Sequence, residues 1–198
     1  MPEIFDLEDL RARLESPSSI LCLGNGPSSE GPQIPKDCDS LFRVNWIWQD
    51  RKFMAEPDLV FTGDPDLPPP GSRAIVAFPT RGEAERIMKA YPKPVDWLVV
   101  PRLLHDFPTY KDVPTNGALM IAVAVALAPR RLVVSGIDLY SHPEGKYPGV
   151  ADDPAGYDSA HSRETDIACI RDALWRHKGQ LTILSPALKR ALISEIPD

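Results

Sequence analysis

Thr115 to Tyr140 reads TNGALMIAVAVALAPRRLVVSGIDLY, and this stretch decides the fold. The run ALMIAVAVALA is apolar throughout and longer than a strand, so it predicts a buried helix over Asn116 to Leu127, with Thr115 or Asn116 as N-cap. The next apolar run, Leu132 to Val134, is short and ends in the polar segment Ser135 to Tyr140, as a buried strand does. Similar short runs occur at Ser19 to Leu23, Leu41 to Val44, Asp58 to Phe61, Ala74 to Phe78, Trp97 to Val100 and Leu181 to Leu184. Helical patterns separate them at Gly82 to Tyr91 and at Thr165 to His177, and a short helix capped by Asp6 is predicted to run through Leu14. Strands apolar on both faces, alternating with helices, predict an α/β domain with a mostly parallel sheet flanked by helices.

In such sheets the ligand crevice lies at the carboxyl ends of the strands. Three loops therefore carry the candidates. Gly24, Asn25, Gly26, Pro27 and Ser28 follow the first strand, where bare glycine backbone can approach a phosphate and turn N–H groups toward it; the alternative is a tight turn. Asn45 follows the second strand. Gly136, Asp138, Leu139 and Tyr140 follow the strand that ends at Ser135: the Asp138 carboxylate can accept from a ribose and the Tyr140 phenol can donate to a phosphate, the alternative being a helix cap and a core aromatic. Tyr147, seven residues on, supplies a second phenol for the same phosphate, neutralising charge without a metal.

Two further segments complete the set. Thr115, Asn116 and Gly117 open the apolar helix, where exposed N–H groups make an anion site or serve only as an ordinary cap. His161 stands just before the helix that starts near Ser162 to Thr165, whose positive end favours the neutral imidazole that can remove a proton from a hydroxyl; the alternative is an incidental loop histidine. His105, His142 and His177 lack such a setting and read as surface residues. Asp64-Pro65-Asp66 spells a DxD metal pattern but lies beside three prolines, and a turn is preferred over a cation site. Trp46 and Trp48 would share one side of an extended segment, with core packing the preferred use.

Composition bounds the rest. The chain has 198 residues, 43% hydrophobic and 25% charged, enough for one substantial core, so residues 1–198 are read as a single domain. A net charge of −6 argues against a nucleic-acid partner. Three cysteines, Cys22, Cys38 and Cys169, suit a reducing compartment better than a disulfide framework. No apolar run reaches the roughly 18 residues that span a bilayer, and no secretory leader is expected. The reading is a cytoplasmic protein, with peripheral placement at the inner membrane as its alternative. Proline is abundant, at 22 residues, with clusters between Gly26 and Pro35 and between Asp64 and Gly71 that read as loops.

Taken together, LCLGNGPS, FRVNWIWQD, TNGALMIAVAVALAPRRLVVSGIDLY, AHSRETDIACI and LTILSP resemble, in order and spacing, the bacterial sialyltransferases of glycosyltransferase family 42. The resemblance covers roughly Ile20 to Asp198 and is strongest from Thr115 to Leu184. It implies a GT-A-like nucleotide-binding fold and inverting transfer of sialic acid or a related nonulosonic acid from its CMP ester to a glycan or glycolipid hydroxyl. No metal and no cofactor beyond the CMP-sugar donor is implied, and a homo-oligomer is compatible with it.

By the same resemblance Asn25 and Asn45 contact the CMP-sugar, and Thr115, Asn116 and Gly117 approach the sugar carboxylate. Tyr140 and Tyr147 hold the leaving phosphate, Asp138 lies by the nucleoside, and His161 is the general base. Val113 stands where the family carries an arginine, and the segment from Tyr147 to His161 is shorter than the family's lid. A shorter lid admits water, so the alternatives are a CMP-sugar hydrolase and a catalytically degenerate CMP-sugar-binding module.

Overall fold

The computed structural model describes residues 3–46, 49, 52–64, 71–91, 95–141, 157 and 159–194. Eight strands form one sheet: β1 (Glu3–Ile4), β2 (Ser19–Leu23), β3 (Ser40–Val44), β4 (Leu59–Phe61), β5 (Ile75–Phe78), β6 (Trp97–Val99), β7 (Arg131–Ser135) and β8 (Gln180–Ile183). Every neighbouring pair is parallel, in the order β1-β6-β5-β4-β3-β2-β7-β8. The helices are α1 (Leu7–Arg13), α2 (Arg81–Met88), α3 (Val100–Leu103), α4 (Asn116–Ala126), α5 (Arg163–Arg176) and α6 (Pro186–Ser194).

The expected α/β architecture is therefore present, with a wholly parallel sheet. β2 and β3 are buried along their whole length because helices or loops cover both sheet faces. On one face Ile20, Cys22, Phe42, Phe61 and Val134 pack with α4 and α5. On the other, Val60, Val76 and Phe78 meet Ala84 and Ile87 of α2, while Leu21, Leu23 and Val133 meet Ile34.

Local signals set the helix starts. The side chains of Asp6, Thr80, Thr115 and Ser162 each accept a backbone N–H from the first turn of their helix. Four expectations are corrected. The strand expected to run to Val100 stops at Val99, where α3 begins, since Pro101 has no N–H for a ladder. Helix α2 ends at Met88 rather than Tyr91, and α5 begins at Arg163 rather than Thr165. The extended segment expected to carry Trp46 ends at Val44, because Asn45 has φ 51° and turns the chain. β1 and α6 were not expected: one is two residues long, the other opens on a proline.

From β2 the chain steps outward through β3 and β4 to β5 and β6, then returns on the other side of β2 for β7 and β8. The order reverses between β2 and β7. A crevice at the carboxyl ends of these two strands follows from that reversal.

Candidate active site

The loops after β2 and β7 touch so closely that glycine is required at the contact. A Cβ on Gly24 would come within 2.2 Å of the Gly136 carbonyl oxygen, and one on Gly26 within 2.4 Å of an Asp138 carboxylate oxygen. Gly24 N–H donates to Ser135 O and Gly26 N–H to Gly136 O, both at 2.9 Å. Ser28 N–H donates to Asp138 Oδ2, also at 2.9 Å. At these three positions the expectation of amides turned toward a phosphate is corrected, because their protons join the two loops to each other.

Ser28 is the centre of that join. Its hydroxyl lies 3.0 and 2.8 Å from the Asp138 carboxylate oxygens and 2.9 Å from Ser185 Oγ, and it accepts the Gly136 N–H at 2.9 Å. Asp138, expected beside the nucleoside, thus spends both carboxylate oxygens on Ser28. Pro27 starts the 3-10 turn that aims Ser28 inward. Leu139 and Tyr140 have φ 51° and 52°, and Ser141 N–H donates to Asp138 O at 3.1 Å. Two successive left-handed non-glycine residues store strain, here in the turn that presents Tyr140.

The next wall is polar. Asn25, 2% exposed, donates through Nδ2 to Val44 O at 2.8 Å, and its Oδ1 lies 3.4 Å from Nη2 of Arg43. Arg43 is itself 2% exposed inside β3 and was overlooked in the sequence, where a lone arginine in the apolar run LFRV was the available signal. Asn45 Oδ1 accepts from Asn116 Nδ2 at 3.1 Å, so the ends of β2 and β3 and the start of α4 converge. The Asn116 Oδ1 acceptor has no hydrogen-bond partner among the described residues. Gly117 lets α4 settle on the loop after β7, since a Cβ there would meet Ile137 Cδ1 at 2.9 Å.

The third wall joins α4 to α5 through Asp166. Its Oδ1 accepts Thr115 N–H at 2.8 Å, and its Oδ2 accepts the Thr115 hydroxyl at 2.7 Å and the Tyr157 hydroxyl at 3.1 Å. The Tyr157 ring packs on the Tyr140 ring with centroids 4.4 Å apart. Burial pushes the Asp166 carboxyl pKa up, opposed by the hydrogen bonds from Thr115 and Tyr157. Burial also raises the Tyr157 phenol, with the Asp166 charge acting in the same direction, so this hydroxyl keeps its proton.

His161 sits one residue before the α5 cap Ser162, half-buried. Its Nδ1 is 2.6 Å from Val113 O, and Val113 N–H donates to Ala160 O at 3.1 Å. A carbonyl can only accept, so Nδ1 carries a proton, and the tautomer this selects has its lone pair at Nε2. Asp112 steadies the same segment by accepting from the Ser162 hydroxyl at 2.6 Å and the Thr165 hydroxyl at 3.4 Å.

This architecture aligns with solved enzyme structures. The sialyltransferase CstII from Campylobacter jejuni in complex with a substrate analogue, CMP-3FNeuAc, superposes with a TM-score of 0.58 at 21% identity, over 85% of this chain and 82% of that one. The chain has a sialyltransferase-like fold. The monofunctional alpha-2,3-sialyltransferase Cst-I from the same organism gives a TM-score of 0.60 at 16% identity, over 85% and 76% of the two chains. CstII in complex with a trisaccharide acceptor and CMP gives 0.55 at 19%, over 85% and 81%. No protein-family model and no curated protein matches the sequence.

On this sialyltransferase-like fold, the candidates read from five separate stretches gather at one end of the sheet, with the exception of Tyr147, which lies outside the described residues along with Trp48, His142 and Asp66. Trp46 is buried in the core beside Val60 and Phe78. Asp64 N–H bonds Thr62 Oγ1 at 3.1 Å, and no cluster of three or more histidine, cysteine or acidic residues forms among the described residues. His105 is exposed, and His177 accompanies Gln180 at the far end of α5. No described helix is long and apolar enough to cross a membrane. Asp166 and Tyr157 were missed in the sequence; the signal for the first was a carboxylate on the apolar side of α5, one turn before Ile170.

Proposed function

We propose that this chain transfers sialic acid or a related nonulosonic acid from its CMP ester to a glycan hydroxyl, without a metal and with inversion, His161 acting as general base. The observation that carries the reading is a series of contacts joined by a short stretch of chain. It runs from the Tyr140 ring through Tyr157, Asp166 and Thr115, and two residues upstream to the Val113 carbonyl that holds His161 Nδ1. The crystallised neighbours of the same fold, described as sialyltransferases with CMP or a CMP-sugar analogue, support the same donor class.

In this reaction the acceptor hydroxyl gives its proton to His161 Nε2 while its oxygen bonds to the anomeric carbon. On the opposite face the bond from that carbon to the phosphate oxygen breaks, and its electron pair leaves on CMP. The Tyr140 phenol, joined by Tyr147 through the family resemblance, donates to the phosphate oxygens as charge develops on them. Asn116 offers its Oδ1 to the donor, Asn25 and Asn45 line the same wall as the family resemblance implies, and the first turn of α4 favours the sugar carboxylate. The imidazolium then returns its proton to solvent.

His161→Ala is expected to leave CMP affinity nearly unchanged while transfer falls about a hundredfold or more, as for loss of a general base. Equal transfer by His161→Ala would remove the assignment. Free nonulosonic acid, with added glycan ignored, would instead mark a hydrolase; CMP binding with no turnover by the wild type would mark a binding module.

A further inference from the structure

We infer that Asp166 is a positioning residue for transfer, fixing where the Thr115 and Tyr157 hydroxyl protons point and thereby holding the α4 cap and the Tyr140 wall in register; the inference rests on the function proposed above. Asp166 lies in the first turn of α5, 2% exposed, five residues after His161. Its carboxylate takes three donors from two other segments: Thr115 N–H, the Thr115 hydroxyl and the Tyr157 hydroxyl, at 2.8, 2.7 and 3.1 Å. An ionised carboxylate can only accept, so both hydroxyl protons are committed to it.

Two consequences follow from that polarity. The Thr115 oxygen turns its lone pairs away from Asp166, and one of them caps α4 by accepting Ala118 N–H at 3.5 Å. The Tyr157 ring is pinned at its hydroxyl while its face packs 4.4 Å from the Tyr140 ring, in the turn whose two left-handed residues resist relaxation. Both segments that hold the base are stapled by the same group. Thr115 is two residues from Val113, whose carbonyl takes His161 Nδ1 at 2.6 Å, and Asp166 shares its helix start with His161. Misplacement of reacting groups by about 1 Å can cost a hundredfold in rate, which gives such a staple a catalytic consequence.

A scaffold alone does not need the charge. Asparagine has the same shape, and its amide could donate to both hydroxyl oxygens while its carbonyl keeps the Thr115 N–H. The three contacts would survive with two of them reversed, and the hydroxyl protons would be released toward the crevice. Burial raises the carboxyl pKa, so the ionised acid is held against a desolvation cost that asparagine would not meet. Retaining an acid here is therefore a matter of polarity and position.

The test compares wild type with Asp166→Asn and Tyr157→Phe, measuring Tm, CMP affinity by calorimetry, and kcat and KM for a CMP-nonulosonate donor with a glycan acceptor. Asp166→Asn is expected to keep Tm at or above that of wild type and CMP affinity within about threefold, while kcat falls roughly ten- to hundredfold. Tyr157→Phe, which keeps the ring but drops one of the three bonds, should lose less kcat, and the double variant should lose less than the product of the two, since both act through one group. Unchanged kcat in Asp166→Asn overturns the inference and leaves the transferase reading intact. A drop in Tm that accounts for the lost activity assigns Asp166 to folding alone and overturns it as well. A wild type that neither binds CMP nor turns over removes the transferase reading, and the inference with it.

Discussion

Ser28→Ala removes one oxygen atom at the contact of the two crevice loops. The hydroxyl that reaches the Asp138 carboxylate at 2.8 Å is lost, and with it the acceptor of Gly136 N–H and the partner of Ser185 Oγ, each at 2.9 Å. A hydrogen bond to a charged group contributes about 1.5 to 3 kcal/mol, and a donor left unpaired in a half-buried site adds a further share. Asp138 keeps only the Ser28 N–H of this set. A total near 3 kcal/mol is the expectation, roughly, which for a chain of this size lowers Tm by about 6 to 12 °C.

Thermal and urea unfolding followed by circular dichroism measure it directly. Ser185→Ala should be non-additive with Ser28→Ala, because Ser185 bonds both Ser28 and Ile137 N–H. CMP affinity should fall in the single variant too, since the loops that carry Asn25 and Tyr140 would part. A Tm shift under about 2 °C would refute the reasoning: the loops would then be held by backbone and glycine packing alone.

Two further expectations concern titratable groups. Cys22 and Cys169 are buried, which pushes the first thiol up strongly and the second up to about 12, whereas Cys38 is only half-buried; native protein at pH 8 should yield one modifiable thiol and denatured protein three, and three rapid equivalents in the native state would contradict the core packing. Burial holds the Asp166 pKa above its ordinary value of 3.8. The native state then binds that proton more tightly than the unfolded chain, so stability falls as pH rises from 3.8 through the raised value. Asp166→Asn lacks this slope, and its Tm relative to wild type should increase across the window; a constant difference would place no buried ionisation at Asp166.

The elements easiest to read were those whose composition left little choice. ALMIAVAVALA is too long and too apolar for anything but a buried helix, and SILCL and LVV are too short and too apolar for anything but central strands. β1 escaped because two residues carry no period, and α6 because a proline at its start reads equally well as a loop. Within the site, Thr115 was legible as a cap and His161 as a residue ahead of a helix, both local properties of the chain.

What could not be read was the set of partners brought from afar. Ser28 meets Asp138 across 110 residues and Ser185 across 157. The same spacing hid the fact that Gly24 and Gly26 serve the fit between loops, so their N–H groups were expected to face a ligand. Asp166 was hidden by its own neighbours: beside Arg163 and Glu164 it passes for the polar start of a helix, and only the packing of α5 on α4 turns it inward.

The most direct test of the central claim is calorimetric titration of the intact chain with CMP, against UMP and GDP, in the presence of a chelator and then of added divalent cation. The account predicts selective CMP binding that is indifferent to the cation, with a CMP-nonulosonate binding at the same site. No preference for CMP over UMP and GDP would contradict it, leaving a chain that has a sialyltransferase-like fold without its donor.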